Sequence, residues 1–226
     1  MKYPVTLGVA ILSYIRRDMF LKFLFPRICV GCGSESAWLC ERCAVHVIVN
    51  KTLFARQQKG ALDGVIAVTS YSSPEARGLI KLLKYRGAYD VEQALHVFVQ
   101  HFVKGFFVMP VLDALVPVPL HKRRLHERGF NQAEILARVW SPILCAPVVD
   151  VLERTRYTSI QAHLPRLERL TNMRDVFSVK QPCATLKSVA LIDDVCTTGA
   201  TLEACAHTLK KGGVERVFGL VFAVEE

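Results

Sequence analysis

The sequence has no long apolar run and no recognisable secretory signal. No run of apolar residues reaches the roughly 18 that a membrane span requires. The uncharged residues 3–15 are followed by two arginines and an aspartate, without a small-residue cleavage site. We therefore expect a cytoplasmic protein without a membrane span, in which residues 1–19 form an N-terminal extension or docking helix. Peripheral attachment to the inner membrane stays open.

Acidic residues are scarce relative to basic ones. The 226 residues include 29 lysines and arginines against 20 aspartates and glutamates, which gives a formal net charge of +9. This balance favours polyanionic partners, either nucleic acid or phosphorylated small molecules. The sequence shows no aromatic platform of the kind on which single-stranded nucleic acid stacks. The absence weakens the case for direct DNA binding.

Internal repeats and low-complexity tracts are also absent. The hydrophobic content of 51% exceeds what a surface-rich helical protein needs. It suits an α/β fold, in which a parallel sheet is buried on both faces. We predict such a domain over residues 60–226, preceded by a small module over residues 20–58.

Four of the eight cysteines form a metal-binding pattern. Cys29, Cys32, Cys40 and Cys43 have the spacing C-x2-C-x7-C-x2-C, which presents two pairs of thiolates across a short loop. Zn²⁺ prefers a tetrahedral shell of this kind; a pair of redox dithiols is the alternative. Because all four positions are cysteine, no ligand position stays open for catalysis. We predict a structural zinc site.

The remaining cysteines show no metal-ligand spacing. Cys145, Cys183 and Cys205 are predicted to be packing residues. Cys196 precedes a predicted helix, where a thiolate is favoured. We interpret Cys196 as a spacer, with a reactive thiol as the alternative.

A strand followed by a helix is predicted after residue 60. Residues 62–71 have the character of a strand, and Ser73 then precedes a proline and an apolar stripe, which is typical of a helix N-cap. Arg77, Lys81 and Lys84 recur on a neighbouring face of this helix. They form either a solvated surface or a cationic wall that faces a phosphate.

Two further basic segments follow. A strand is predicted to end at the sequence VPVP, because prolines cannot continue the pairing. A basic loop comes next, and then a helix that buries Ala133, Leu136, Ala137 and Trp140. The loop cations are Lys122, Arg123, Arg124 and Arg128. Residues 154–174 are polar, basic and weakly periodic, and we expect a mobile functional segment there.

Residues 188–204, SVALIDDVCTTGATLEA, carry the most specific signal. Four apolar residues predict a buried parallel strand, and the polar residues after them predict a loop at a helix N-terminus. Ligands of open α/β sheets bind at this position. Free backbone N–H groups and the helix dipole favour a phosphate there, with hydroxyls from Thr197, Thr198 and Thr201. Gly199 lets the backbone close around the anion.

Asp193 and Asp194 need a different partner, because carboxylates repel phosphate. They can accept hydrogen bonds from the vicinal hydroxyls of a sugar. A phosphate site next to a site for a diol describes a ribose 5-phosphate.

These residues resemble the signature of type I phosphoribosyltransferases, which bind phosphoribosyl pyrophosphate (PRPP) with Mg²⁺. The resemblance implies that Asp193 and Asp194 hold the ribose hydroxyls. It also implies a phosphate loop made of Thr197, Thr198, Gly199, Ala200 and Thr201. The α/β domain would then be a phosphoribosyltransferase core, a parallel sheet flanked by helices, with a zinc-ribbon-like module before it.

The order of motifs narrows the resemblance to the ComF/GntX group. The four-cysteine pattern, KYRG, VPVPLHKRRLHERGFNQA and RTRYTSIQAHLPRLERLTNMRDVF follow one another over roughly residues 20–225. Proteins of the ComF group act on the cytosolic side of DNA uptake in naturally competent bacteria. By the same resemblance VPVPL takes the place of the pyrophosphate loop. Lys84, Arg128, Arg154 and Arg156 become candidates for binding pyrophosphate or closing over it.

Three hypotheses follow. The first is a PRPP-binding phosphoribosyltransferase-like protein of DNA uptake, an enzyme that releases pyrophosphate if it is active. The second is a non-catalytic adaptor that senses PRPP or a nucleotide and holds single-stranded DNA, with competence proteins as further partners. The third is a salvage-type enzyme unrelated to DNA.

Overall fold

A computed structural model describes residues 26–35, 37–50, 60–85, 91–105, 110–157 and 176–225. Its elements in chain order are α1 (Glu41–Ala44), β1 (Gly64–Ser70), α2 (Pro74–Tyr85), α3 (Glu92–Lys104), β2 (Ala114–Pro117), α4 (Lys122–Arg128), α5 (Gln132–Leu144), β3 (Leu152–Arg154), β4 (Phe177–Val179), β5 (Ser188–Cys196), α6 (Ala200–Lys211) and β6 (Arg216–Val224). None of the helices in these ranges is long and apolar enough to cross a membrane. The predicted extension, residues 1–19, lies outside the described residues, so the boundary after residue 19 stays a prediction.

Four strands form one parallel sheet in the order β1-β6-β5-β2. Ile66 of β1 and Ile192 of β5 both pair with Leu220 of β6, and Val116 of β2 pairs with Leu191 of β5. Since all four strands run in the same direction, their carboxyl ends meet at one edge. The sheet confirms the predicted α/β class and places the end of β5 beside the ends of its neighbours.

The sheet is covered on both faces, as its apolar strands require. Side chains alternate along β5, so that Ala190 and Ile192 join one core cluster and Val189 and Leu191 join the other. The first cluster includes the buried residues of α2 and α3 and most of those of α5. The second includes those of α6 and of the paired strands β3 and β4, together with Ala133 of α5. The four predicted buried residues of α5 belong to these clusters, which confirms that prediction.

Helix α2 forms as its sequence predicts. The Ser73 hydroxyl accepts a hydrogen bond from the Ala76 N–H at 3.3 Å, and Pro74 occupies the first helical position. Leu79 and Leu83 are fully buried against the sheet, whereas Arg77 is exposed. The helix therefore presents an apolar face to the core and a basic face outward.

The basic segment before α5 is a helix rather than the predicted loop. His121 caps α4 by accepting the Arg123 N–H at 3.2 Å, and Gly129, at φ 78°, ends the helix in the left-handed region. None of the residues of α4 is buried. The periodicity of apolar residues could not reveal this helix, because its seven residues contain only one leucine.

Two further predictions need correction. Strand β5 continues through Asp193 and Asp194 to Cys196, because β6 extends alongside it and Asp193 pairs with Val221. The two acids therefore belong to the strand and not to the loop after it. Cys145 is exposed at the left-handed C-cap of α5 and is not a packing residue, whereas Cys183 and Cys205 are buried as predicted.

The four-cysteine module packs directly on the α/β domain. Leu39 and Val47 are buried in the same core cluster as α2. The Asn50 N–H donates to the Val68 carbonyl at 2.8 Å, and the Thr69 hydroxyl donates to the Ile48 carbonyl at 2.7 Å. The end of the module thus covers the free edge of β1.

Gly78 allows the module to approach α2 closely. A Cβ atom at this position would lie 2.8 Å from Cβ of Val30. Gly78→Ala should therefore push the module away from the helix and lower the free energy of unfolding by about 1–3 kcal/mol, the usual cost of overpacking. Thermal unfolding should show it, with Gly64→Ala as the control, because a Cβ at Gly64 meets only Phe218 at 3.6 Å. A Gly78→Ala protein as stable as the control would contradict the close packing.

Candidate metal centre and ligand site

The four predicted zinc ligands come together in the structure. The Sγ atoms of Cys29, Cys32, Cys40 and Cys43 all lie within 4.8 Å of one another, and those of Cys32 and Cys40 are 3.6 Å apart. Four sulfurs at about 2.3 Å from a tetrahedral Zn²⁺ would be about 3.8 Å from one another. The cluster therefore fits a zinc ion with four thiolate ligands.

The backbone of the module shapes this cluster. Gly33, at φ 75°, turns the chain so that its N–H donates to the Cys29 carbonyl at 2.9 Å. The Cys40 N–H donates to Sγ of Cys29 at 3.3 Å. The first pair of cysteines thus lies on a tight turn, and the second pair lies at the start of α1.

The sulfurs cannot all be ionised without a cation. The hydrogen bond to Ser34 lowers the pKa of Cys32 to about 6, whereas the hydrogen bond to Cys40 raises the pKa of Cys43 to about 12. One thiolate therefore suppresses the ionisation of its neighbour. A divalent cation would remove this conflict, which is the physical reason that such clusters hold metal.

A second candidate site lies at the carboxyl edge of the sheet. The carboxylate of Asp194, near the end of β5, is 3.0 Å from the ammonium group of Lys84 in the last turn of α2. Their side chains are only 14% and 27% exposed. The fold thus joins two residues that lie far apart in the sequence and that were both predicted to contact one ligand.

The carboxyl group of Asp193 lies beside that of Asp194, with which it shares a side-chain hydrogen bond. Asp193 also interacts electrostatically with Lys84 of α2, Arg154 of β3 and Cys205 of α6. Burial, and then the charge of Asp194, raise the pKa of Asp193 to about 8. At neutral pH the protonated form of Asp193 is therefore favoured, and Lys84 lies beside the neighbouring Asp194.

The start of α6 adjoins these acids. Gly199, at φ 72°, is the N-cap, and the Thr198 hydroxyl accepts the Ala200 N–H at 3.4 Å. Thr197 is exposed, while Thr198 and Thr201 are half-buried. The Cys196 carbonyl accepts the Glu225 N–H, and Cys196 is buried, which is consistent with a spacer. The predicted phosphate loop is therefore a strand-to-helix turn with accessible hydroxyls.

The sequence is similar to several competence and DNA utilization proteins. It is 30% identical over 207 residues to competence protein F of Haemophilus influenzae, covering 88% of this chain and 86% of that protein. It is 31% identical over 196 residues to DNA utilization protein YhgH of Salmonella typhi, covering 84% and 86%, and 30% identical over 198 residues to competence protein ComFC of Bacillus subtilis, covering 85% and 75%. The chain belongs to the ComF family. No protein-family model matches it.

The ComF resemblance also predicted roles for three arginines, which the structure places at separate points. Arg128 is half-buried in the last turn of α4, and Arg156 is exposed just after β3. Arg154 ends β3, where its guanidinium lies 5.5 Å from the centre of the Phe177 ring. Burial, and then the charge of Arg124, lower the pKa of Arg154. Lys84 lies within an ion-pair distance of Asp194, one of the paired acids.

The predicted mobile segment falls mostly outside the described residues, which resume at residue 176 after residue 157. Its first residue, Arg154, belongs to β3 and pairs with Phe177 of β4 in an antiparallel ladder. The described residues on either side of positions 158–175 are thus paired with each other, near Asp193. That residues 154–174 close over the ligand stays a prediction.

The VPVPL segment borders a pocket of about 180 Å³. Pro117, Pro119 and Leu120 line one side, and Arg154 lies among the other lining residues. The Asn131 amide donates to the Val118 carbonyl at 3.0 Å and fixes the segment to the start of α5. The Val118 N–H donates to the Ile192 carbonyl at 2.9 Å, so the predicted pyrophosphate loop is hydrogen-bonded to β5 as well.

Sequence patterns did not reveal one cluster near this site. The ring of Tyr157 lies 5.3 Å from the His121 ring, and the guanidinium groups of Arg123 and Arg124 lie 5.3 Å and 5.7 Å from its centre. A single tyrosine 30 or more residues from its neighbours gives no periodic signal. A backbone bridge between His121 and Arg154 brings the segments together.

Proposed function

We propose that this protein binds PRPP, or a related ribose 5-phosphate, at the carboxyl edge of its parallel sheet. The observation that carries the proposal is the pair formed by Lys84 and Asp194 at 3.0 Å, next to the start of α6. A helix start suited to an anion, a carboxylate acceptor and a lysine are thus grouped at the end of β5. Ligands of α/β sheets bind at this edge.

Each group has a distinct task in this proposal. The turn at Thr197 and Thr198, together with Thr201, binds the 5-phosphate through hydroxyls and backbone N–H groups. Asp194 accepts hydrogen bonds from the ribose hydroxyls. Lys84 then exchanges its ion pair with Asp194 for one with the pyrophosphate. Its ammonium group is already in the site before the ligand binds. Mg²⁺ would be held in this site largely by the phosphates of PRPP and by water.

We further propose that the protein serves DNA uptake on the cytosolic side. Relatives in two organisms carry the name competence protein, and those in enteric bacteria are named for DNA utilization. The formal charge of +9 favours contact with a polyanion. Proteins of the competence machinery are the expected partners.

An assay of pyrophosphate distinguishes the enzyme from the binder. If the protein is a phosphoribosyltransferase, a nitrogen of the acceptor forms a bond to C1 of the ribose while the bond from C1 to the pyrophosphate oxygen breaks. Incubation with PRPP, Mg²⁺ and each of the common nucleobases should then release pyrophosphate with one of them. PRPP binding without release would identify a sensor or adaptor.

A single-stranded DNA adaptor is the second candidate, favoured by α4. This helix carries four cations against one carboxylate, and none of its residues is buried. Phosphate contacts release counterions, so binding to such a surface should weaken steeply with salt. Phosphate contacts lose affinity between roughly 50 and 200 mM salt. DNA affinity that stays constant over this range would argue against this candidate.

Thr198→Val should weaken the binding of PRPP and of ribose 5-phosphate alike. It removes one hydrogen bond to a charged phosphate, about 1.5 kcal/mol, or roughly tenfold in affinity. Calorimetry measures both ligands, with Thr208→Val as the control, since Thr208 lies at the far end of α6 and bonds to the Ala204 carbonyl. A change for PRPP alone would show that Thr198 does not contact the 5-phosphate.

A further inference from the structure

Tyr157 lies in an unusual setting for an exposed aromatic residue. Its side chain is 42% exposed. The guanidinium groups of Arg123 and Arg124 lie 5.3 Å and 5.7 Å from the ring centre, and the His121 ring meets it edge-on at 5.3 Å and 72°. A single accessible site thus combines one aromatic ring, two planar cations and an imidazole. This group is called the Tyr157 cluster below.

The charge of the cluster is only partly neutralised. Arg123 forms an ion pair with Glu127 at 3.0 Å, four residues later on α4. Within the described residues no carboxylate is paired with Arg124, and Lys122 of the same helix is exposed. The cluster therefore keeps cations that can bind phosphate, in addition to the planar surfaces.

Planar cations beside an aromatic ring match the chemistry of an unpaired nucleobase. Bases stack on aromatic side chains and on guanidinium planes, and nearby basic groups bind the phosphate that follows. A double helix keeps its bases stacked inside and cannot use such a surface. A protein segment could match this surface only if it supplied both a flat ring and an adjacent phosphate.

The cluster also lies close to the proposed ribose 5-phosphate site. Arg154 interacts electrostatically with both Tyr157 and Asp193, so it is close to each of them. The backbone bridge from His121 to Arg154 fixes the start of α4 to β3. A base at Tyr157 would therefore lie next to the carboxyl edge of the sheet.

We propose that the Tyr157 cluster is a stacking site for an unpaired nucleobase and its adjoining phosphate. The base comes either from a single strand of DNA or from a free nucleotide. The inference extends the proposed role with DNA and does not depend on PRPP. Failure of PRPP to bind the parent protein would end the ribose 5-phosphate proposal and leave this one standing.

The test compares Tyr157→Ala and Tyr157→Phe with the parent in three titrations. The probes are a single-stranded 20-nucleotide oligodeoxyadenylate, a strand of equal length with abasic sugars, and free dAMP. Val111→Ala is the matched control, because it truncates another exposed residue, 87% accessible, which lies three residues before the amino end of β2. Zinc content and thermal unfolding verify that each variant is folded.

We expect Tyr157→Ala to bind the base-bearing strand about 5- to 150-fold more weakly, the range for one lost base stack. Tyr157→Phe should stay within about twofold of the parent, because a phenyl ring stacks as well. The abasic strand should bind the parent and Tyr157→Ala equally. If Tyr157→Ala loses affinity for dAMP by the same factor, a free nucleotide is the source of the base. If it loses affinity for the strand alone, DNA is the source.

Two results would overturn the proposal. One is that Tyr157→Ala binds the base-bearing strand as tightly as the parent does, and dAMP as tightly as the parent does. The other is binding of the abasic strand by the parent as tightly as the base-bearing strand, which would reduce the surface to a phosphate contact. Arg124→Ala adds a separate readout, since it should lower the salt slope by about one.

Discussion

Asp194→Asn should weaken PRPP binding by roughly ten- to 150-fold. The amide keeps the shape of the carboxylate but loses its charge, and a hydrogen bond to a charged group contributes about 1.5–3 kcal/mol. Asp194 is 14% exposed and 3.0 Å from Lys84, so it is already ordered where the ribose hydroxyls would bind. Calorimetric titration with PRPP and Mg²⁺ measures the change directly.

Asp113→Asn is the matched control for this experiment. Asp113 accepts the N–H groups of Lys187 and Ser188 at 2.7 and 2.8 Å, at the amino end of β5. These hydrogen bonds lower the pKa of Asp113. Because its pKa is lower in the folded protein, the carboxylate stabilises the fold above its unfolded pKa, and this contribution is lost as the pH falls through the folded pKa.

The two aspartate variants should therefore separate. Asp113→Asn should reduce stability at neutral pH, reduce it less in acid, and leave PRPP affinity unchanged. Asp194→Asn should reduce affinity. If Asp194→Asn binds PRPP as the parent does, the paired acids do not hold the ribose hydroxyls.

Cys40→Ser should remove the metal and destabilise the N-terminal module. Structural zinc contributes about 10–16 kcal/mol of apparent binding free energy in small zinc domains, and this free energy is available only to the folded state. The parent should carry about one zinc per chain, and the variant well under half of that. Elemental analysis and thermal unfolding together measure both effects.

The effect should reach beyond the module, because Leu39 and Val47 are buried in the main core cluster. Cys145→Ser is the control, since Cys145 is exposed and lies outside the cluster of four sulfurs. The parent is purified without chelators for this test. The metal centre would be contradicted if the parent carried no zinc and unfolded at the same temperature as Cys40→Ser.

Local patterns predicted the parts of the fold that depend on local chemistry. The cap at Ser73 and the buried face of α5 follow from capping residues and a 3.6-residue period, and the structure confirms both. The four-cysteine cluster follows from spacing alone. Each of these features is encoded within about 15 residues.

Features that depend on contacts between different elements of the fold were not predicted. Strand β5 extends past Ile192 because β6 pairs with it, which the sequence of β5 does not reveal. The short helix α4 depends on a histidine cap and a glycine end rather than on an apolar stripe. The Tyr157 cluster requires β3 to lie beside α4, and no local pattern records that contact.

The candidate site shows the same division. Asp193 and Asp194 were recognisable from their position after an apolar run, and the pairing of Asp194 with Lys84 was not, because it crosses from β5 to α2. The raised pKa of Asp193 also depends on burial by other elements. Sequence thus predicted the chemical groups, while their charges and partners needed the structure.

One titration tests the central claim most directly. The zinc-loaded parent protein is titrated in a calorimeter with ribose 5-phosphate and with 2-deoxyribose 5-phosphate under identical conditions. We predict saturable binding of ribose 5-phosphate, and binding of the deoxy sugar roughly tenfold weaker, because it lacks one hydroxyl that donates to a carboxylate. Equal affinities for the two sugars, or no saturable binding of either one, would contradict a ribose 5-phosphate site at Asp193 and Asp194.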